Sequence, residues 1–199
     1  MARNPSSAVQ PGGPGGATTT AQLGEATERL WMARLLRRAE CVGASGEIPV
    51  AAAVLDPQGR CVGWGSNRRH RLQDPLGHAE LVALNQAARL LGDWRFNRCT
   101  LLVTLEPCPM CAGALVQARM GRVVYAAADP KRGALGGCLD LAMHPSAHHH
   151  MQVLGGVEGQ AAQHQLERWF RGRRETLRQQ RQAASATRAG TPAALSQTG

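Results

Sequence analysis

The chain has almost no lysine: Lys131 stands alone beside 22 arginines. It also lacks any run of about 18 apolar residues, the length that crosses a bilayer, which excludes a membrane-spanning helix. Residues 1–20 hold no apolar stretch of the signal-peptide kind and are rich in Gly, Pro, Ser and Thr, so a cytoplasmic protein is expected. No internal repeat is present, which argues against a solenoid. At 199 residues there is room for one domain with a sizeable core, and a second full domain would have to be very small.

What is there is positive charge. The formal net charge is +9 and the isoelectric point is near 10.5. Such a balance favours a polyanionic partner, because cationic side chains gain affinity by releasing counterions from phosphates. Codon usage would explain the Arg-for-Lys bias, though not the sign of the charge. Six cysteines without an export signal do not read as a disulfide framework. Cys108 and Cys111 form a Cys-x-x-Cys pair, which in an intracellular chain points to metal or redox chemistry. Cys41, Cys61, Cys99 and Cys138 sit in apolar or small-residue contexts and are expected to be buried small hydrophobes.

Residues 1–24 cannot bury enough apolar surface to offset their ordering entropy and are expected to be disordered. The folded domain is expected over 25–180, followed by a disordered tail over 181–199 rich in Ala, Ser, Thr and Gln. An amphipathic helix begins near Thr27, with Leu30, Trp31 and Leu35 beside Arg34 and Arg38, and fades near Gly43. The apolar runs 50–55 and 60–64 flank Asp56-Pro57-Gln58-Gly59, a hairpin signal. A second helix is expected from His78 to Leu91, stopping at Gly92; a buried strand over 100–105; a third helix opened by Pro107 and Pro109 and running to about Arg119. Strands over 122–126 and 152–154 and a helix from about Glu158 to Arg178 complete the domain. This order implies a mixed sheet with helices on both faces, an α/β domain built as a three-layer α/β/α sandwich.

Two of these helices begin with chemistry. His78-Ala79-Glu80 opens one, and Pro107-Cys108-Pro109-Met110-Cys111 carries a strand into the other. Zinc prefers tetrahedral nitrogen and sulfur donors, and a catalytic site takes three from the protein and keeps the fourth place open. His78, Cys108 and Cys111 give that count, one zinc ion per chain, and no fourth ligand stands at finger spacing. Both thiols fall in the first turn of a helix, where the peptide dipoles favour thiolate. Glu80, two residues beyond the histidine, is placed to move protons for a water activated by zinc. Alone, a Cys-x-x-Cys reads equally as a redox pair and a His-x-Glu as chance. Together, in this order, they are the His-x-Glu and Pro-Cys-x-x-Cys signature of zinc nucleobase deaminases.

The chain resembles the bacterial tRNA-specific adenosine deaminases of the cytidine deaminase-like superfamily over roughly residues 28–178. The resemblance runs through Glu47-Ile48-Pro49-Val50, Asn67, Asp74-Pro75, the stretch Thr104 to Ala114, the stretch Gln117 to Tyr125, Asp129-Pro130-Lys131, His144-Pro145 and the helix bearing Trp169 to Arg174. It implies a homodimer that converts adenosine to inosine at the wobble position of an anticodon stem-loop. It further implies that Asn67 hydrogen-bonds the purine, unless it is only a turn residue capping its own loop. Backbone amides near Ala79 and Cys108 would help hold the reacting base and water, Pro107 would also belong to the substrate site, and Asp129, Lys131, His149, Arg171, Arg173 and Arg174 would contact RNA. Departures from the family pattern are Ala51 for Gly, Ala128 for Arg, and His148-His149-His150 for Asn-His-Arg. The three histidines read as a loop facing RNA or solvent more readily than as a second metal site. The arginines read as phosphate contacts or as cations at a helix end. Two other functions remain open at this point: deamination of a free base or nucleotide such as guanine or cytosine, and an inactive RNA-binding subunit, although Glu80 and all three ligands are present. The sequence is silent on which tRNA is read.

Overall fold

The computed structural model describes residues 23–189, with side chains to residue 185. Residues 1–22 and 190–199, with most of the disorder expected at the two ends, lie outside the described residues. Helix α1 (Glu25–Ala44) leads to the hairpin of β1 (Ala51–Leu55) and β2 (Cys61–Ser66). The turn between them is organised by Asp56. Its Oδ1 accepts the amides of Gln58 and Arg60 at 2.9 and 3.0 Å, and its Oδ2 accepts Arg60 Nε at 2.7 Å. A short helix α2 (Arg69–Leu72), which no periodicity announced, precedes α3 (Ala79–Leu91), closed by Gly92 in the left-handed conformation at φ 66°. Then come β3 (Thr100–Leu105), α4 (Pro109–Gln117), β4 (Arg122–Ala127), a long loop, β5 (Gln152–Gly155) and α5 (Gly159–Ala189).

The strand order is β2-β1-β3-β4-β5. Strand β1 is antiparallel to β2 and β3, while β3, β4 and β5 run parallel, so the sheet is mixed. Side chains alternate across it. Ala51, Ala53, Leu55, Leu102 and Val124 pack with Met32, Leu35 and Ala39 of α1 and Ala162 of α5. Ala52, Val54, Leu101, Val103 and Val123 point the other way, to Ala83 of α3 and Leu115 of α4. The expected three-layer α/β/α sandwich is therefore present. Burying each of these larger aliphatic side chains stabilises the fold by roughly 1.5–3 kcal/mol.

Two contacts fix the layers. Gly63 and Gly65 of β2 leave no room for a Cβ: at Gly63 it would meet Ala83 O and lie 2.7 Å from Ala87 N, and at Gly65 it would meet Ala79 O and lie 2.7 Å from Ala83 N. The fully buried methyls of Ala79, Ala83 and Ala87 complete this backbone-to-backbone approach of α3 and β2. On the opposite face Arg122 Nη2 of β4 pairs with Glu28 Oε1 of α1 at 3.0 Å, with side chains 12% and 2% exposed.

Three expectations change. Helix α5 continues to Ala189 instead of stopping near Arg178, because 179–189 contains no Gly or Pro and is dominated by Gln, Ala and Arg, so the expected tail is helical at its start. Leu23, expected in the disordered leader, packs against the cluster beneath α1. Of the four cysteines outside the motif, Cys99 is buried and Cys61 half-buried, but Cys41 and Cys138 are exposed, since one lies on the outer side of α1 and the other in the loop after Gly137.

Candidate active site

Helices α3 and α4 bring their first residues together at the ends of the strands that precede them. His78 and Cys108 are the residues that immediately precede the two helices, both in extended backbone, and Cys111 lies one turn into α4. Nδ1 of His78 lies 3.7 Å from Cys108 Sγ and 3.5 Å from Cys111 Sγ. A tetrahedral zinc ion with its usual bonds to nitrogen and sulfur needs an edge of about 3.6 Å between such donors, so the three residues fit the ion without rearrangement. All three ligand atoms lie within 4.8 Å of one another. At Cys108 the thiolate is favoured: hydrogen bonding from the Cys111 thiol and His78, against the effect of burial, holds it down to about 3. The same sharing pushes Cys111 up, and the bond to Cys108 pushes His78 up. Glu80 is 4% exposed, and burial drives its carboxyl above the ordinary range.

A cavity of about 310 Å³ opens over this cluster, on the scale of small-molecule sites. It is lined by His78, Glu80, Cys108 and Asn67, by the apolar Ile48, Val50 and Leu105, and by Asp129, Arg132 and Phe170. Asn67 Oδ1 accepts the amide of Ala79 at 3.0 Å. The amide of Ala79, expected to help hold the base, is thus engaged by Asn67. Pro107 is not on the cavity wall: its carbonyl accepts the amide of Ala134 at 2.9 Å and ties the following loop to the site.

The remaining expected residues separate. Asp129 lines the cavity, its Oδ1 accepting the amides of Lys131 and Arg132 at 3.1 and 3.0 Å, while Lys131 is exposed and off the cavity wall. Arg171 and Arg174 border an adjoining hollow with Leu166 and Phe170, and Arg173 is exposed outside both. Because α5 runs to Ala189, none of the three arginines sits at a helix end, and the dipole reading falls away. His149 donates through Nε2 to Met120 O at 2.7 Å, beyond the end of α4 opposite the cysteines, and His150 Nδ1 lies 2.9 Å from Ala142 O. His149 thus ties the loop to the body, and His150 closes the loop on itself. Ala128 lines the cavity, and Ala51 is fully buried in the core under α1.

Sequence reasoning missed Glu106. Its carboxylate, 2% exposed, accepts the amides of Asp129, Leu135 and Gly137 at 2.9, 3.0 and 2.8 Å and lines the cavity. A Cβ at Gly133 would collide with that carboxylate, so the loop closes around it only with glycine there. An acid at the end of an apolar strand was the available signal. Arg69, Arg132 and Phe170, also on the cavity, carried none.

The comparisons with known proteins agree with this geometry. Residues 25–127 match the family model of the cytidine and deoxycytidylate deaminase zinc-binding region. The chain is 36% identical over 157 residues to the tRNA-specific adenosine deaminase of Bacillus subtilis, covering 79% of this chain and 94% of that one. It is 48% identical over 137 residues to a tRNA(Ile)-lysidine synthase of Deinococcus deserti, of whose length it spans only 24%. A solved structure from a study of A-to-I editing by tRNA:A34 deaminases superimposes with a TM-score of 0.66 at 34% identity, covering 68% of this chain and 98% of that one. The zinc donors, the layered sheet and these likenesses converge, and the chain belongs to the cytidine and deoxycytidylate deaminase family, with a tRNA-specific adenosine deaminase among the relatives it resembles over most of its length.

Proposed function

We propose that the protein is a zinc-dependent hydrolase that converts adenosine to inosine at the wobble position of a tRNA anticodon. The observation that carries the chemistry is the buried Glu80 carboxyl lining the same cavity as His78 and Cys108. His78, Cys108 and Cys111 would hold a zinc ion, which would supply Lewis acidity to activate water. The water oxygen bonds to C6 of the purine, the C6–N6 bond breaks, and ammonia leaves. Glu80 takes one proton from the water and delivers it to the ring nitrogen, then takes the second from the new C6 hydroxyl and delivers it to the departing amine; its raised carboxyl suits both accepting and returning a proton. Asn67, with Oδ1 held by Ala79, presents its amide NH2 to the purine. Ile48, Val50 and Leu105 exclude water from the ring.

The substrate assignment draws on the activity named for the Bacillus subtilis relative, the +9 charge, and Arg132, Arg171 and Arg174 beside the cavity mouth. An unpaired wobble base also costs little to extrude. A homodimer is proposed on the outer face of α3 and α4, where Leu76 and Trp94 are 58% and 56% exposed beside Leu81 and Ala88. No described helix is long and apolar enough to cross a membrane, and a cytoplasmic site of action is proposed with the tRNA substrate.

The test is incubation of zinc-assayed protein with an anticodon stem-loop carrying adenosine at the wobble position, beside free adenosine, guanine and cytidine. Inosine in the stem-loop alone is expected. Reaction of a free base or nucleoside without reaction of the RNA would keep the zinc chemistry and overturn the substrate.

A further inference from the structure

A second basic surface follows the edge strand β2. A groove of about 440 Å³ gathers Arg38 of α1, Arg68 and Arg71 at α2, and Arg89 of α3 around the 46% exposed indole of Trp64. Asp74 pairs with Arg68 at 3.3 Å, but Arg38, Arg71 and Arg89 form no ion pair among the described residues. Arg68 Nε is buried without a hydrogen-bond partner. The Arg38 guanidinium lies 4.7 Å from the centre of the Trp64 ring. Stacking of that kind fixes the guanidinium plane and leaves its N–H edge free, which is the geometry that grips a phosphate through two bonds.

The groove and the catalytic cavity share α2. Arg69 lines the cavity, while its neighbours Arg68 and Arg71 line the groove. An RNA strand that places a base beside Glu80 and passes over α2 runs directly onto the groove. A strand-adding peptide is disfavoured at this edge, because the amide of Trp64 is already capped by Gln86 Oε1 at 2.7 Å.

We infer that the groove binds the phosphodiester backbone of the RNA whose base enters the catalytic cavity, an inference that rests on the proposed tRNA substrate. Arg38 and Arg89 make the outer phosphate contacts, Arg68 and Arg71 the inner ones, and Trp64 holds Arg38 in position. None of these residues reaches the reacting base.

The experiment compares wild type with the Arg38→Ala/Arg89→Ala double variant, measuring affinity for a labelled anticodon stem-loop between about 50 and 200 mM salt and turnover at saturating RNA. The double variant is expected to bind roughly tenfold more weakly, with the slope of log K against log salt reduced by about 1 to 2, at unchanged zinc content and unchanged saturated turnover. The Arg38→Lys/Arg89→Lys variant should keep the salt slope. Unchanged affinity and slope in the alanine variant would overturn the groove, as would a change in oligomeric state that accounts for the weaker binding. Wild type that neither binds nor deaminates the stem-loop would instead overturn the tRNA assignment itself.

Discussion

Asn67 Oδ1 accepts the amide of Ala79 at 3.0 Å, so the residue just after β2 holds the first residue of α3, between His78 and Glu80. Its carboxamide oxygen thus anchors the start of α3, and Asn67 also lines the cavity. Asn67→Asp keeps the acceptor and loses the donor. It is expected to retain zinc and folding while kcat/KM falls roughly tenfold to a hundredfold, as for loss of one well-placed hydrogen bond. Asn67→Ala should lose stability as well, by about 1 kcal/mol. Equal kinetics in wild type and the Asp variant would remove Asn67 from substrate binding.

Glu80→Ala and Cys108→Ala separate proton transfer from metal holding. The first should keep a full complement of zinc by elemental analysis and lose at least about a hundredfold in turnover. The second should lose zinc and unfold at lower temperature, because metal binding free energy is folding free energy. Zinc loss from the Glu80 variant would make it a ligand and not a proton carrier.

The ion pair between Glu28 and Arg122 joins α1 to β4 out of water. Arg122→Met alone leaves a buried carboxylate unpaired and should cost about 3–5 kcal/mol in denaturant unfolding. The double variant Glu28→Gln/Arg122→Met should recover most of that loss. A double variant no more stable than the single one would show that the arginine acts through packing of its stem.

Burial, reinforced by the charge of Asp56, pushes Cys99 up to about 11 from an ordinary 9.0. Between those values the folded chain keeps a proton the unfolded chain has lost, so this group lowers stability as pH rises. The slope is at most about 1.4 kcal/mol per pH unit, and Cys99→Ala should remove it in unfolding curves taken across that range. At pH near 8 a thiol reagent should modify exposed Cys41 and Cys138 and spare Cys99. Equal labelling of all three would contradict the burial of Cys99.

The order of elements and the metal donors were legible because their signals are local. A short apolar run marks the buried strand β3, a turn at Asp56 to Gly59 marks the hairpin, and His-x-Glu and Cys-x-x-Cys sit at helix starts. The end of α5 was not legible, since Gln, Ala and Arg without Gly or Pro are compatible with both helix and solvated coil. Glu106 and His149 were misread or missed for another reason. Each acts through backbone groups distant in sequence, with Glu106 reaching Leu135 and Gly137 and His149 reaching Met120, and no periodicity reports such pairings. The groove at Trp64 likewise draws its arginines from three separate segments.

Gly63 and Gly65 have a consequence for the chemistry. Ala79 and Ala83 ride on the backbone of β2, and His78 and Glu80 sit on either side of Ala79 at the leading end of the same rigid rod. Cys108 and Cys111 belong to a different rod, α4, packed against the same sheet. The edge strand therefore acts as a spacer that sets the gap between one metal donor and the other two. A single methyl at Gly65 would lift α3 from its seat, detuning zinc affinity from a position that touches neither metal nor substrate.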